Sequence, residues 1–408
     1  MSLDLDTVRA HFPALQSGWA FMDNAGGSQI LRPVLDRIEE YLTTSNVQLG
    51  ASYEVSQLAR ERVGAAAEAM AELINAKDPS EIVMGPSSSQ LLGMLARSVG
   101  ATLAPGDEFI ITDADHEANL GPWERLRAEG AVVKCWGLNK DSLQLELSDL
   151  GDLMTERTRL VALTHTSNIL GSIVPVAEIS DFVHNRGAAI CVDGVAYAPH
   201  RLIDVQALDV DYYVFSFYKL FGPHYALLYG KRELLLELPG QNHDFVPESA
   251  VPYKFQPGNV NYELSYSMLG LCDYIATIAR ELGDQSNDLR RQASLLFDWI
   301  AGHEEGLAAQ LLGFLAGKDR VRIIGRADAD RRARVPIVSF VVDGMDSQDV
   351  VAQADRHKIG IRHGDFHSPR IVDKLDLRAS HGVVRASLAH YNTPEEVQRL
   401  ITVLESVI

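Results

Sequence analysis

Short apolar runs alternate with helical periods along most of this chain. Leu31 to Leu42 and Ser56 to Ile74 carry apolar side chains every three or four residues, the spacing of amphipathic helices. Apolar runs follow at Glu81–Met84, Glu108–Thr112, Val132–Trp136, Leu160–Thr164, Ala188–Val192, Tyr212–Phe215 and Ala226–Tyr229, most of them bounded by Gly, Pro, Asp or Asn. The intervening stretches are long enough for crossover helices, so the pattern predicts an α/β region with a largely parallel central sheet. From Glu263 to Leu315 the period is helical. Beyond it, Arg320–Ile324, Ile337–Val342 and Val383–Leu388 read as strands of a smaller α+β region that ends in a helix from Thr393 to Val407. A boundary is expected near residue 265.

Polar residues gather where the predicted strands end: Ser87–Ser89, Asp113–Asn119, Asn168, Asp193 and Ser216–Lys219. In open α/β sheets the ligand crevice lies outside the carboxyl ends of the strands, so these segments are candidates for one site.

Composition narrows the function classes. The 408 residues include 37 Lys+Arg and 55 Asp+Glu, a formal charge of −18, with 46% hydrophobic and 23% charged residues. That is a globular composition, and its charge repels phosphate backbones and anionic lipid, which argues against nucleic-acid or membrane partners. The three cysteines, Cys135, Cys191 and Cys272, share no metal-ligand or CxxC spacing and read as reduced; Cys135 and Cys272 are expected to be buried. The opening MSLDLDTVRAHFPAL has early acids and no long apolar run, so no secretory signal is expected and the expected location is cytoplasmic. Neither GxGxxG after a strand, nor Walker A, HExxH or GxSxG is present, which removes the main support for nicotinamide, nucleotide and serine-hydrolase readings.

The segment from Ile190 to Gly230 is the most informative. One apolar run delivers Asp193, and a later one delivers Ser216 and Lys219, followed by Gly222-Pro223. This order resembles the pyridoxal 5'-phosphate (PLP) site of class V aminotransferases, in the cysteine desulfurase and selenocysteine lyase branch. The resemblance extends from DNAGGSQ at 23–29 to VRASLAHYNTPEEVQRL at 384–400. It implies the α/β fold-type I aminotransferase fold, with a mostly parallel seven-stranded sheet in a large PLP-binding domain (17–265) and a smaller α+β domain (1–16 and 266–408). It also implies a small amino-acid substrate and a homodimer with active sites at the interface.

Each site residue has a chemical reason. PLP needs a lysine that condenses with its aldehyde, and Lys219 matches; burial beside a cationic cofactor would lower its pKa and make it a nucleophile and proton carrier. Asp193 matches the carboxylate that keeps the ring nitrogen protonated, so that the ring can accept electrons. His116 matches the histidine that stacks on the ring, and Asn168 the residue bonded to the ring hydroxyl. Ser87 and Ser88, ahead of an apolar helix, suit a phosphate at a helix N-terminus. Ser216, Tyr218 and Asn259 occupy the family's other phosphate positions, with Tyr218 replacing the usual His and Asn259 the usual Thr, the latter reaching across a dimer interface. Arg385 resembles the arginine that forks onto the substrate α-carboxylate, and Arg362 lies in the family's active-site loop. On residue type alone, Lys219 is equally a turn lysine, Asp193 a capping or turn aspartate, and His116 an ordinary loop histidine.

Two departures bear on the reaction. Desulfurases of this branch carry a nucleophilic cysteine after an Arg-x-Gly-His-His run, and aligning Arg362 and Gly364 puts His367 in its place. Where the family often has Asp-Gly-Ala-Gln, this chain has Asp193-Gly194-Val195-Ala196. His367 suits an acid or base near the substrate Cβ; with His363 and Asp365 it makes too loose a set for a metal, and no metal is expected. The reading favoured is a PLP-dependent carbon–sulfur (or carbon–selenium) lyase on a cysteine-like amino acid. An aminotransferase or an amino-acid epimerase of the same fold comes next, and a catalytically silent PLP-fold binding protein remains an alternative.

Overall fold

The computed structural model describes residues 3–408. In chain order its strands are β1 (Ala20–Phe21), β2 (Ile82–Gly85), β3 (Glu108–Thr112), β4 (Val132–Trp136), β5 (Thr158–Thr164), β6 (Ala189–Asp193) and β7 (Tyr212–Ser216). They continue with β8 (Ala226–Gly230), β9 (Val321–Ile324), β10 (Ile337–Val342), β11 (Ile359–Gly360), β12 (Arg362–Gly364) and β13 (Val383–Ser387). Contacts group the chain into two compact units. The first combines Met1–Ala14, Gln29–Leu103 and Leu202–Asp298; the second combines Leu15–Ser28, Ala104–Arg201 and Trp299–Ile408. The helix Tyr262–Glu281 runs unbroken past residue 265.

In the first unit β8 pairs antiparallel with both β2 and β7. The helix Tyr262–Glu281 packs against both Glu54–Leu73 and Arg32–Thr44. Gly270 permits the closest approach, since a Cβ there would stand 2.5 Å from the Pro33 carbonyl oxygen. Arg37 ties the same two helices through Asp273 at 2.9 Å. The helical stretch expected from Glu263 to Leu315 is two helices, Tyr262–Glu281 and Leu289–Ala316. Gly283, at φ +99, lies between them in a conformation that ends a helix.

The second unit holds four parallel strands, with β3 between β4 and β5, and β6 beyond β5. With the three of the first unit these make the seven strands expected, four of them in the parallel pairings and three in the antiparallel ones. A smaller antiparallel sheet runs β12-β13-β10-β9, and β1 pairs parallel with β11. Its core includes Val338, Phe340, Val384 and Ala386 from the strands, Leu311 from the helix Leu289–Ala316, and Leu400 and Leu404 from the helix Pro394–Glu405. That last helix is fixed by a capping box at Thr393 and Glu396. Cys135 corrects its expectation: it is exposed, because β4 is an edge strand paired only with β3 and is open on both faces, so that Val132 and Cys135, on opposite faces, both meet solvent. Cys272 is only partly buried, while Cys191 lies in the core of β6. The segment after Ile361, read from sequence as loop, begins as strand β12 because it pairs with β13.

Candidate functional site

The first unit carries a lysine and a set of neutral donors. Gly85 ends β2, Ser87 caps the helix Ser88–Gly100, and the Ser87 Oγ accepts from the Gln90 N–H at 3.2 Å. The helix thus starts at Ser88, before the apolar run. Ser88 Oγ lies 2.7 Å from Ser216 Oγ, the last residue of β7, and both are buried. Lys219 follows in the turn and is only 6% exposed. Its Nζ is 5.8 Å from the Tyr218 ring centre, and the Tyr218 ring stacks on His224 at 5.0 Å. Asn259 stands apart from these on an exposed turn at φ +78.

The second unit carries the charged groups. Asp193 ends β6, is buried, and its Oδ1 accepts from the Val195 N–H at 2.9 Å. Deeper still is Asp115, which sequence reasoning did not single out. It accepts from the His116 N–H and from Asn119 Nδ2, each at 2.7 Å. Burial, and next the charge of Asp193, hold its carboxyl well above the usual range. His116 caps the helix Glu117–Arg125, and its Nδ1 accepts from the Ala118 N–H at 3.0 Å, which leaves Nε2 as the proton-bearing nitrogen of the neutral ring. The His367 ring lies 5.3 Å from that of His116, tilted by 53°.

Register decides the arginines. Antiparallel pairing sets Arg362 of β12 directly opposite Arg385 of β13. Two like charges in that position repel. Asp23 answers both: Arg385 donates to its Oδ1 at 3.0 Å and Arg362 to its Oδ2 at 3.4 Å. Gly26 leaves room beside this cluster, for a Cβ there would stand 2.8 Å from an Asp23 oxygen and 3.0 Å from Arg362. Arg385 also donates to the Asn168 carbonyl at 3.1 Å, and its guanidinium lies over the Phe366 ring, 3.6 Å from the centre. Asn168 in turn is engaged by the loop after β12. Its Nδ2 donates to the Phe366 carbonyl at 2.9 Å, and its Oδ1 accepts from Ser368 Oγ at 2.9 Å.

Asp23, Phe366 and Ser368 were not identified from sequence. Asp23 opens the DNAGGSQ stretch and could have been found from it; Phe366 and Ser368 carry no local signal. His165 was also missed. It stacks on Tyr197 at 3.5 Å, and burial pushes its imidazole down to about 3. Among the described residues no group of three His, Cys, Asp or Glu side chains is placed to hold a metal, and no helix is long and apolar enough to cross a membrane.

The donor chemistry fits PLP. Two buried hydroxyls and a helix N-terminus suit a phosphate dianion, a buried lysine suits the aldehyde, and a strand-end carboxylate suits a pyridinium nitrogen.

Comparison with known proteins agrees with this chemistry. The model of the family described as "Aminotransferase class-V" matches residues 20–400. The chain is 42% identical to the aminotransferase-like protein FGM3 of Gibberella zeae, covering 100% of this chain and 99% of that one. It is 33% identical to the cysteine desulfurase-like protein ustD of Aspergillus flavus, over 100% of this chain and 91% of the other. Among solved structures it is similar to the cysteine desulfurase CsdA of Escherichia coli, with a TM-score of 0.83 and 27% identity over 100% of this chain and 98% of that one.

Proposed function

The chain belongs to the class V aminotransferase family, of the cysteine desulfurase-like kind, and from that premise we propose that it is a carbon–sulfur or carbon–selenium lyase on a cysteine-like amino acid, working without a persulfide cysteine. It is a PLP-dependent enzyme, as class V aminotransferases and cysteine desulfurases are. When bound, PLP supplies an electron sink for the pair left at the substrate α-carbon.

In this reading Ser87, Ser88, Ser216 and Tyr218 hold the phosphate, and in a homodimer Asn259 reaches the neighbouring subunit's phosphate. Asp193 meets the ring nitrogen, His116 covers the ring face and Asn168 meets the ring hydroxyl. Arg385, with Arg362 beside it, orients the substrate by its α-carboxylate. Lys219 Nζ takes the proton from the substrate α-carbon. The Cβ–S bond then breaks with its electron pair on sulfur, and His367 supplies the proton that the sulfur needs. The three-carbon remainder leaves as aminoacrylate, which water converts to pyruvate and ammonia. Residues 17–265 form the cofactor-binding domain in this scheme, 1–16 with 266–408 the smaller one, and the enzyme works in the cytoplasm as a homodimer.

The observation that carries the reading is the pair of imidazoles. His367, which the resemblance aligns with the desulfurase thiol, has its ring centre 5.3 Å from that of His116, and an imidazole pair suits proton transfer better than sulfur relay. Product identity tests it: the purified enzyme is incubated with L-cysteine, cystine and cysteine S-conjugates. Pyruvate with ammonia is expected. Alanine would mean that sulfur is removed by another route, and neither product would move the assignment to transamination or epimerisation.

A further inference from the structure

The loop after β12 is fixed at both ends and in its middle. Phe366 and His367 both have left-handed backbones, at φ +52 and φ +58, which side chains with a Cβ adopt only when surroundings impose it. Here the surroundings are explicit. The Phe366 carbonyl accepts from Asn168 Nδ2 at 2.9 Å, the His367 carbonyl accepts from the Glu117 N–H at 2.8 Å, and Ser368 Oγ donates to Asn168 Oδ1 at 2.9 Å. The Ser368 N–H closes the turn onto the Asp365 carbonyl at 2.9 Å. The Phe366 ring is buried in an apolar cluster with Ala114, Ile169, Ile371 and Val383. The guanidinium of Arg385 lies over the ring, 3.6 Å from its centre, and that of Arg362 lies farther off at 5.6 Å.

Asn168 is therefore a hub. Its side chain holds the loop, and its carbonyl holds Arg385 at 3.1 Å. A guanidinium is planar, so its forked donors point usefully only when that plane is set. Asp23 and the Asn168 carbonyl fix two nitrogens within the plane, while the Phe366 ring fixes the plane itself.

We propose that Phe366 is a positioning residue for substrate binding: locked by Asn168 and Ser368, its ring sets the plane of the Arg385 guanidinium so that the fork meets an amino acid's α-carboxylate. The inference rests on the reading of Arg385 as the carboxylate-binding residue. It makes this loop a fixed wall of the site, with the aromatic ring selecting substrates that bear an α-carboxylate.

The test titrates the PLP-loaded enzyme with L-alanine and, separately, with ethylamine, which lacks the carboxylate, following the visible absorbance of the bound cofactor. Phe366→Ala is expected to raise the half-saturating L-alanine concentration about tenfold, the worth of a desolvated guanidinium–ring contact. Phe366→Leu should do nearly the same, and Phe366→Tyr should restore the wild-type value, while the response to ethylamine stays unchanged in all three. In a double-mutant cycle Phe366→Ala should add little once Arg385→Ala is present. An unchanged L-alanine response in Phe366→Ala, or an equal weakening for both amines, overturns the proposal. If instead Arg385→Ala leaves the L-alanine response intact, the reading of Arg385 itself is what fails. Phe366→Leu and Phe366→Tyr keep the ring site filled, so a folding defect of Phe366→Ala does not decide the outcome.

Discussion

Around Ser216 and Lys219 the first unit gathers neutral donors near one buried lysine, two hydroxyls 2.7 Å apart beside the start of a helix. Around Arg385 the second unit does the opposite. It packs full charges together, with Asp23 bridging two arginines that strand pairing sets face to face, and Asp115 raised in part by the charge of Asp193. Neutral donors can hold a dianion without an internal counter-ion, so changing one of them should alter cofactor retention and little else. A cluster of charges in contact with one another has no such independence, because each member sets the geometry or the protonation of the next. The two units should thus fail differently when mutated.

The largest expected effect comes from the first unit. Lys219→Ala should lower turnover about 10³-fold and abolish the visible absorbance of the lysine-bound cofactor, read directly on the purified protein. Retained absorbance with full turnover would break the comparison outright. His367→Ala, in the second unit, should lower turnover about 10²-fold while the cofactor spectrum stays intact. Loss of cofactor in that variant would show that His367 supports the cofactor and not the departing sulfur. Ser88→Ala and Ser216→Ala should each weaken PLP binding about tenfold in an apoenzyme titration, with the KM for the amino acid unchanged. Because the two hydroxyls are hydrogen-bonded to each other, the double variant should lose less than the product of the singles.

The last effect concerns stability and not function. Burial holds His165 at about 3, far below the ordinary histidine value, so the unfolded chain takes up a proton over a range where the folded chain does not. Stability from this group is complete above about pH 6.5 and is lost as pH falls toward 3, by up to about 1.4 kcal/mol per pH unit. His165→Phe keeps a ring against Tyr197 and removes the titration. The stability lost between pH 7 and pH 5, measured by urea unfolding, should shrink by about 2 kcal/mol in that variant.

Most of the strands were legible because each is a short apolar run with a marked end; β3, β4 and β10 fall where the periodicity places them. The first unit's donors were legible too, since Ser87 and Ser88 are neighbours and Ser216, Tyr218 and Lys219 share one turn. The second unit resisted. Asp23 meets Arg385 across 362 positions of chain, and Ser368 meets Asn168 across 200. No local pattern announces either pair. Strand β12 is illegible for the same reason: its residues have no alternation of their own, and pairing with β13 makes them a strand.

By itself the sequence determined the kinds of element, the family, and the chemistry of each isolated side chain, because periodicity, strand ends and residue type are local properties of the chain. Tertiary structure alone decided that Arg362 faces Arg385, that Asp23 bridges both, that Phe366 lies against a guanidinium, and that two buried carboxylates share one neighbourhood. The reason is physical: plane, register and electrostatic coupling depend on distances between groups, and those distances exist only once strands far apart in the chain have paired.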